Sequence, residues 1–452
     1  MQGENKMAVM PVSKLLVNMS IPLMISLLIQ SLYNIADGIF VAYLSEDALT
    51  ATSLAYPLQV IMITVSVGTA IGVNTELSRL IGMKDYVHAS NIAVTGIILT
   101  VASSLVFVLV GIFFTDEIGR LLTDDENIAV LCGEYLHICM MLCSAIFLEM
   151  MFQRFLQATG KTFLSMISLV MGAVTNIVLD PILIFGYFGF DAMGVKGAAI
   201  ATVIGQWVGA IVACLLNTFL NKEVKLTLKD YKMSGALASK IYKVGLPTMV
   251  TNGLPSVMVA VMNAILMPVS STAVAFFGIY YKLQNFLLMP INGLGQACLP
   301  IISFNIGTGD MKRVKQVFKY SIPATIIIAL VATVIFLVFP KQLLLLFSAS
   351  DAMLAIGVNG LRIISVTFVF ASVTVVLGYA MSGLGNGVIL MIATLIRQLV
   401  ILVPVSYLLL EFCGLDYVWF AFLPAEIVAL IFIVIASYKT YNKTKMRLKI
   451  EG

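Results

Sequence analysis

Apolar residues run along this chain in stretches long enough to cross a hydrocarbon layer as helices, which takes about twenty residues each. Such stretches fall at roughly 15–42, 48–77, 88–114, 128–155, 163–187, 195–219, 238–268, 273–302, 315–340, 353–381, 387–410 and 417–438. The pattern predicts an all-α polytopic membrane protein with twelve transmembrane helices, six in each half. Sliding the chain along itself by 225 positions places unusual residues on their own kind: Pro22 on Pro247, Gln59 on Gln284, Gly68 on Gly293 and Asp85 on Asp310. Ser45/Ser270, Ser78/Ser303, Gly160/Gly385 and Gly189/Gly414 keep the same register. Leu-on-Leu matches mean little in so apolar a chain, but paired Pro, Gln, Gly and Asp point to a duplicated unit. An even number of crossings per half makes this a parallel repeat, a transporter pattern. The expected organisation is a six-helix lobe at 1–220, a linker at 221–236 and a second six-helix lobe at 237–452.

Composition agrees with a bilayer as solvent: 60% of residues are hydrophobic and 11% charged, with mean hydropathy +1.03, outside the range of ordinary soluble domains. Charge then orients the chain. Lys6, Lys14, Arg79, Lys84, Arg154, Lys161, the linker lysines Lys222, Lys225, Lys229 and Lys232, the group from Lys312 to Lys319 and the tail from Lys439 fall on one side. The opposite side carries Arg120, Lys196 and Lys341 and is acidic around Asp116 and Glu117. Both termini are therefore expected in the cytoplasm. The net charge of +4 is read as contact with the lipid bilayer's inner leaflet, not with nucleic acid. The first apolar run lacks a small-residue cleavage site and reads as a retained helix. Together these features predict a multi-pass protein of a bacterial inner (plasma) membrane. Oligomeric state leaves no mark, and a closed twelve-helix bundle suffices as a monomer.

The chemistry of an enzyme is missing. Gly160-Lys161-Thr162 resembles the end of a phosphate-binding loop, but such a loop needs a glycine where Phe155 stands. The histidines are His88 and His137, without metal-ligand spacing, and the six cysteines are isolated. No cofactor is expected, and an ion gradient remains as the energy source.

Polar groups at membrane depth cost at least about 2.5–3.5 kcal/mol when ionisable, so each asks for a partner or a function. In the first helix Ser26, Gln30, Tyr33, Asn34 and Asp37 follow one face. Tyr33 lies one turn before Asp37, within reach of its carboxylate, and Pro22 gives the helix a place to bend. In the fifth helix Asn176 and Asp180 are one turn apart. The sixth offers Thr202 among small residues that allow close packing. Two carboxylates, an amide and a hydroxyl supply oxygens for a hard cation such as Na+. The same carboxylate pair, by mutual repulsion, would serve equally as a proton acceptor. A purely structural hydrogen-bond network is the competing reading.

At these residues the chain resembles the multidrug and toxic compound extrusion (MATE) family. The likeness rests on Ile21-Pro22 and Tyr33-Asn34-x-x-Asp37, on Gln153-x-x-Leu156-Gln157-Ala158-x-Gly160, on Asn176-x-x-x-Asp180-Pro181 and on Gly197-Ala198-Ala199-x-Ala201-Thr202. In the second half, Gly278 through Gln284 and Met289-Pro290 are similar to the MepA-like bacterial branch. The resemblance implies a MATE/MOP-type fold of two lobes around a cleft. It implies antiport of organic cations or amphipathic drugs against H+ or Na+ by alternating access. It carries the coupling-ion role onto Asp37, Asn176, Asp180 and Thr202, with Tyr33 in support and Pro22 as a hinge. Some members also place acids on helices seven and ten of the second lobe. Here helix seven offers Asn252 and Asn263 and helix ten has no carboxylate between Leu361 and Met381, so coupling is expected in the first lobe alone. Gln30, Asn34 and Glu149 from the first lobe, with Met249, Asn252, Met258 and Met262 from the second, are the expected cleft residues. Glu426 with Arg397 is read as an ion pair between neighbouring helices. A flippase for lipid-linked or amphipathic substrates is the alternative on the same architecture; it would line the cleft with cations, where this first lobe offers acids.

Overall fold

The computed structural model describes residues 5–227, Tyr231 and residues 234–451. Of the linker expected at 221–236, residues 228–230 and 232–233, including Lys229 and Lys232, lie outside the described residues. No strand occurs among the described residues. Ten helices among them are long and apolar enough to cross a membrane: α1 (Val12–Leu44), α2 (Glu46–Gly82), α3 (Tyr86–Phe113), α5 (Thr162–Phe185), α6 (Val195–Leu220), α7 (Gly235–Leu266), α8 (Ser271–Gly307), α9 (Met311–Val338), α11 (Val388–Cys413) and α12 (Leu415–Leu448). Two bent pairs complete the expected twelve. They are α4, built from Glu126–Met141 and Ser144–Ala158 at 45°, and α10, built from Asp351–Ser365 and Phe368–Gly383 at 50°.

The repeat explains why its matched residues are polar or glycine, because each holds the same structural post twice. Ser45 caps α2 by accepting from the Ala48 amide at 3.0 Å, and Ser270 caps α8 from the Ala273 amide at 3.2 Å. Asp85 and Asp310 cap α3 and α9 in the same way, each satisfying helix-end amides that have no partner inside the helix. Ser78 Oγ donates to the Ala158 carbonyl at 3.1 Å, and Ser303 Oγ to the Gly383 carbonyl at 2.8 Å. Gly160 and Gly385 turn the chain with φ of 81° and 79°, a left-handed conformation that costs glycine little.

The chain folds as two compact units: one takes in Ile25–Met249, the other Lys6–Met24 and Val250 onward. Both dividing points lie inside helices, α1 and α7, and Met24 and Met249 are themselves repeat partners, 225 positions apart. Within the first unit, Met249 lies over Gly68, where an added Cβ would stand 2.8 Å from the Gly245 carbonyl oxygen. Within the second, Met24 lies over Gly293, where an added Cβ would meet the Met24 amide nitrogen at 2.9 Å. In each unit a bare glycine thus admits a methionine from the half-helix that unit receives.

The first unit has a core around Val41, Ala55, Leu136, Cys139 and Ala198. The second is built on Phe276, Phe277, Tyr280, Phe336, Trp419 and Phe422, with Phe276 set edge-on to Trp419 at 4.8 Å between ring centroids.

Candidate ion-coupling site

Helices α5 and α6 of the first unit approach closely because Gly172 faces Gly205. A Cβ on Gly205 would lie 2.8 Å from the Gly172 carbonyl oxygen and 3.0 Å from the Asn176 Cβ. This approach lets backbones meet where side chains would hold them apart, and it brings Asn176 against Thr202. Asn176 Nδ2 donates to Asp180 Oδ1 at 3.2 Å and lies 3.4 Å from Thr202 Oγ1. Asn176 and Asp180 are 3% and 0% exposed. Asp37 of α1 belongs to the same compact unit.

Hydrogen bonding leaves this group unfinished. Asp37 Oδ1, Asn176 Oδ1 and Asp180 Oδ2 are each buried without a hydrogen-bond partner. A buried polar atom left without a partner costs about 1–3 kcal/mol, more when charged. All three oxygens belong to the first unit, and those of Asn176 and Asp180 lie in the group that Thr202 joins through Asn176.

Other residues on the polar face of α1 are distributed less tightly. Tyr33 is one turn from Asp37 on α1 and half-buried. Asn34 is exposed and Pro22 is buried within α1. Glu149 lies in the α4–α6 seam: Gln153 Nε2 donates to its Oε1 at 3.0 Å, and Gly209 of α6 provides the gap in which that oxygen sits. The second-unit residues Met258 and Met262 are inside the apolar core, at 4% and 0% exposed, while Asn252 is exposed.

Sequence reasoning overlooked Gln59, Tyr135 and Cys139. Gln59 Nε2 donates to the Tyr135 hydroxyl at 3.3 Å and lies 3.6 Å from Cys139 Sγ. A signal existed in the repeated glutamine, Gln59 with Gln284, but it gave no partner. Arg397 and Glu426 do meet, Nη1 to Oε1 at 3.4 Å.

A family model described as MatE matches residues 22–182 and 247–408, the two segments starting at the repeat partners Pro22 and Pro247. Multidrug export protein MepA of Staphylococcus haemolyticus is 26% identical over 437 residues, covering 95% of this chain and 94% of that protein. The protein of the same name from Staphylococcus saprophyticus is 28% identical over 425 residues, covering 92% and 91%. Among solved structures, one described as the outward-facing conformation of a multidrug resistance MATE family transporter of the MOP superfamily superposes with TM-score 0.91. It is 25% identical to this chain and the match covers 98% of this chain and 99% of that one.

Proposed function

We propose that this chain, which belongs to the MatE family, is a multidrug exporter that drives organic cations or amphipathic drugs out of a bacterial cell against an inward flow of H+ or Na+. It is a multi-span membrane transporter and not an enzyme. The observation that supports the antiport reading is the group of three partnerless buried oxygens on Asp37, Asn176 and Asp180 beside Thr202. Burying them uncompensated is unfavourable, and a coupling ion relieves that cost. Ion binding therefore stabilises one arrangement of α1 against α5 and α6, and ion release frees it. A ligand shifts a conformational balance only by its difference in affinity for the two states. In alternating access the ion would occupy this group when it opens outward and leave when it opens inward, while drug moves the opposite way. Glu149, in the α4–α6 seam, is in this reading the acid that a cationic substrate meets. Both termini face the cytoplasm in this reading, and the protein works as a monomer.

Efflux of ethidium from proteoliposomes under an imposed proton or sodium gradient tests this. Wild type should show gradient-driven efflux, and the effective gradient names the ion. Asp37→Asn should lose the driven component while remaining folded. Equal driven efflux in wild type and a folded Asp37→Asn would reject coupling through this group.

A further inference from the structure

The second unit holds a buried polar cluster that the duplication does not account for. Arg397 of α11 and Glu426 of α12 form an ion pair whose side chains are 16% and 5% exposed. Tyr280 of α8 is fully buried, its ring set edge-on to Phe422 of α12 at 5.4 Å between centroids, one turn before Glu426. The repeat partners of Tyr280, Arg397 and Glu426 are Ala55, Gly172 and Ala201. The scaffold therefore closes the same helix pair in the first unit with small apolar residues and needs no charge there. Conversely, Tyr33 and Asp37 have Met258 and Met262 as partners, which are core residues in the second unit. Each unit carries its buried polar group where the other is apolar.

The pair is poorly built as a permanent structural bridge. Its single contact is 3.4 Å, where a charge-assisted hydrogen bond is usually about 2.7–2.9 Å. Glu426 Oε2 is buried without a partner, as are Gln398 Oε1, the Tyr280 hydroxyl and Trp419 Nε1. A buried ion pair offsets its desolvation only when its geometry is good and its remaining lone pairs are satisfied. Backbone geometry marks the same place. Arg397 and Gln398 lie in a π-helical turn, Ile396–Ile401, just before Pro404, whose missing N–H and ring clash disturb the turn before it. Such widened turns are frequent at functional sites.

We propose that Glu426, together with Arg397 and the Tyr280 hydroxyl, is a second proton-binding site of the transporter, contained wholly in the second unit. A hydronium ion gives its proton to Glu426 Oε2 and leaves as water, and the Arg397 Nη1–H to Oε1 contact opens. Arg397 keeps its charge throughout, so the pair passes from zero net charge to +1. A metal ion fits less well, because Arg397 repels it and the Tyr280 and Trp419 groups are donors. Among the described residues Arg397 is the ion-pair partner of Glu426; α8 contributes Tyr280 and the half-buried Tyr281, and the packed second half of α10 contributes Tyr379, seated against Gly295. Tyr407, Glu411, Asp416 and Tyr417 are exposed. The use of this proton in the transport cycle rests on the antiport reading above; its binding does not.

The chain carries its own reporter. It has two tryptophans, Trp207 and Trp419, and Trp419 lies in the same core as Tyr280. In a Trp207→Phe background, Trp419 fluorescence of the purified full-length protein is followed from acid to alkaline pH. The expected result is a one-proton step that is lost in Glu426→Gln and kept in Asp37→Asn. Arg397→Lys, which keeps the charge but not the fork, should move the midpoint, and it serves if Glu426→Gln does not fold. A flat response, a step that survives Glu426→Gln, a midpoint unmoved in Arg397→Lys, or a step lost with Asp37→Asn overturns the proposal. If ethidium efflux ignores every gradient while the step depends on Glu426, antiport fails and the site stands. If efflux is gradient-driven while the step survives Glu426→Gln, the site fails and antiport stands.

Discussion

At Asp180, burial and chemistry pull in opposite directions: the side chain is fully buried, yet one carboxylate oxygen has no partner. Thr202 touches the same group more weakly, through a 3.4 Å contact to Asn176. The two should therefore fail differently. Thr202→Val keeps the shape and removes one neutral oxygen, worth about 0.5–1.5 kcal/mol. It should weaken the coupling ion's apparent affinity by about two- to tenfold and leave transport at saturating ion intact. Asp180→Asn removes the charge itself and should abolish gradient-driven efflux at any ion concentration. Ion titrations of ethidium efflux distinguish them, and equal defects would contradict graded roles. These residues were legible in the sequence because one helical turn separates Asn176 from Asp180 and because ionisable groups are rare in apolar runs. Gln59, Tyr135 and Cys139 were not legible, since their meeting joins α2 to α4 across residues far apart in sequence. The neighbourhood of Met258 and Met262 was hidden for another reason: a methionine in an apolar run looks the same facing a cleft or a core.

The α5–α6 pair shows how helices, more than single side chains, set the ion group. Gly205→Ala would push a methyl into the Gly172 carbonyl and the Asn176 Cβ. Overpacking of this kind costs about 1–3 kcal/mol, and part of it would be met by displacing Asn176. We expect a lower thermal midpoint by size-exclusion chromatography after heating, together with reduced coupling. Gly278→Ala is the control, because an added methyl there meets nothing within 4 Å and alanine favours helix over glycine by about 1 kcal/mol. Loss of stability in the control, or its absence in Gly205→Ala, would count against the packing account. Apolar run length made all twelve spans readable. The bends in α4 and α10 were not, for neither break contains the proline or glycine that usually marks one. Instead, at the α10 break, the Thr367 hydroxyl donates to the Ile364 carbonyl at 2.7 Å. The π turn was not readable either, because Arg397, Gln398 and Pro404 fit an ordinary α-helical span as well as a widened one.

For the molecule as a whole, the repeat could be read from sequence while the compact units could not, since no composition change marks a boundary in the middle of α1 or α7. That boundary has a measurable effect. Fragments cut within 228–233 and co-expressed should reassemble and transport, because each supplies the half-helix that completes the other's unit. Removing residues 1–24 from the first fragment should abolish co-purification, since the second unit then lacks Lys6–Met24 and the methionine that covers Gly293. Recovery of a functional pair without those residues would refute the assignment. The same exchange governs any attempt to build hybrids with a relative. A junction in the linker leaves each parent with a foreign piece of helix in its fold. A compatible hybrid must instead be crossed over at Met24 and at Met249, so that Lys6–Met24 travel with the second lobe.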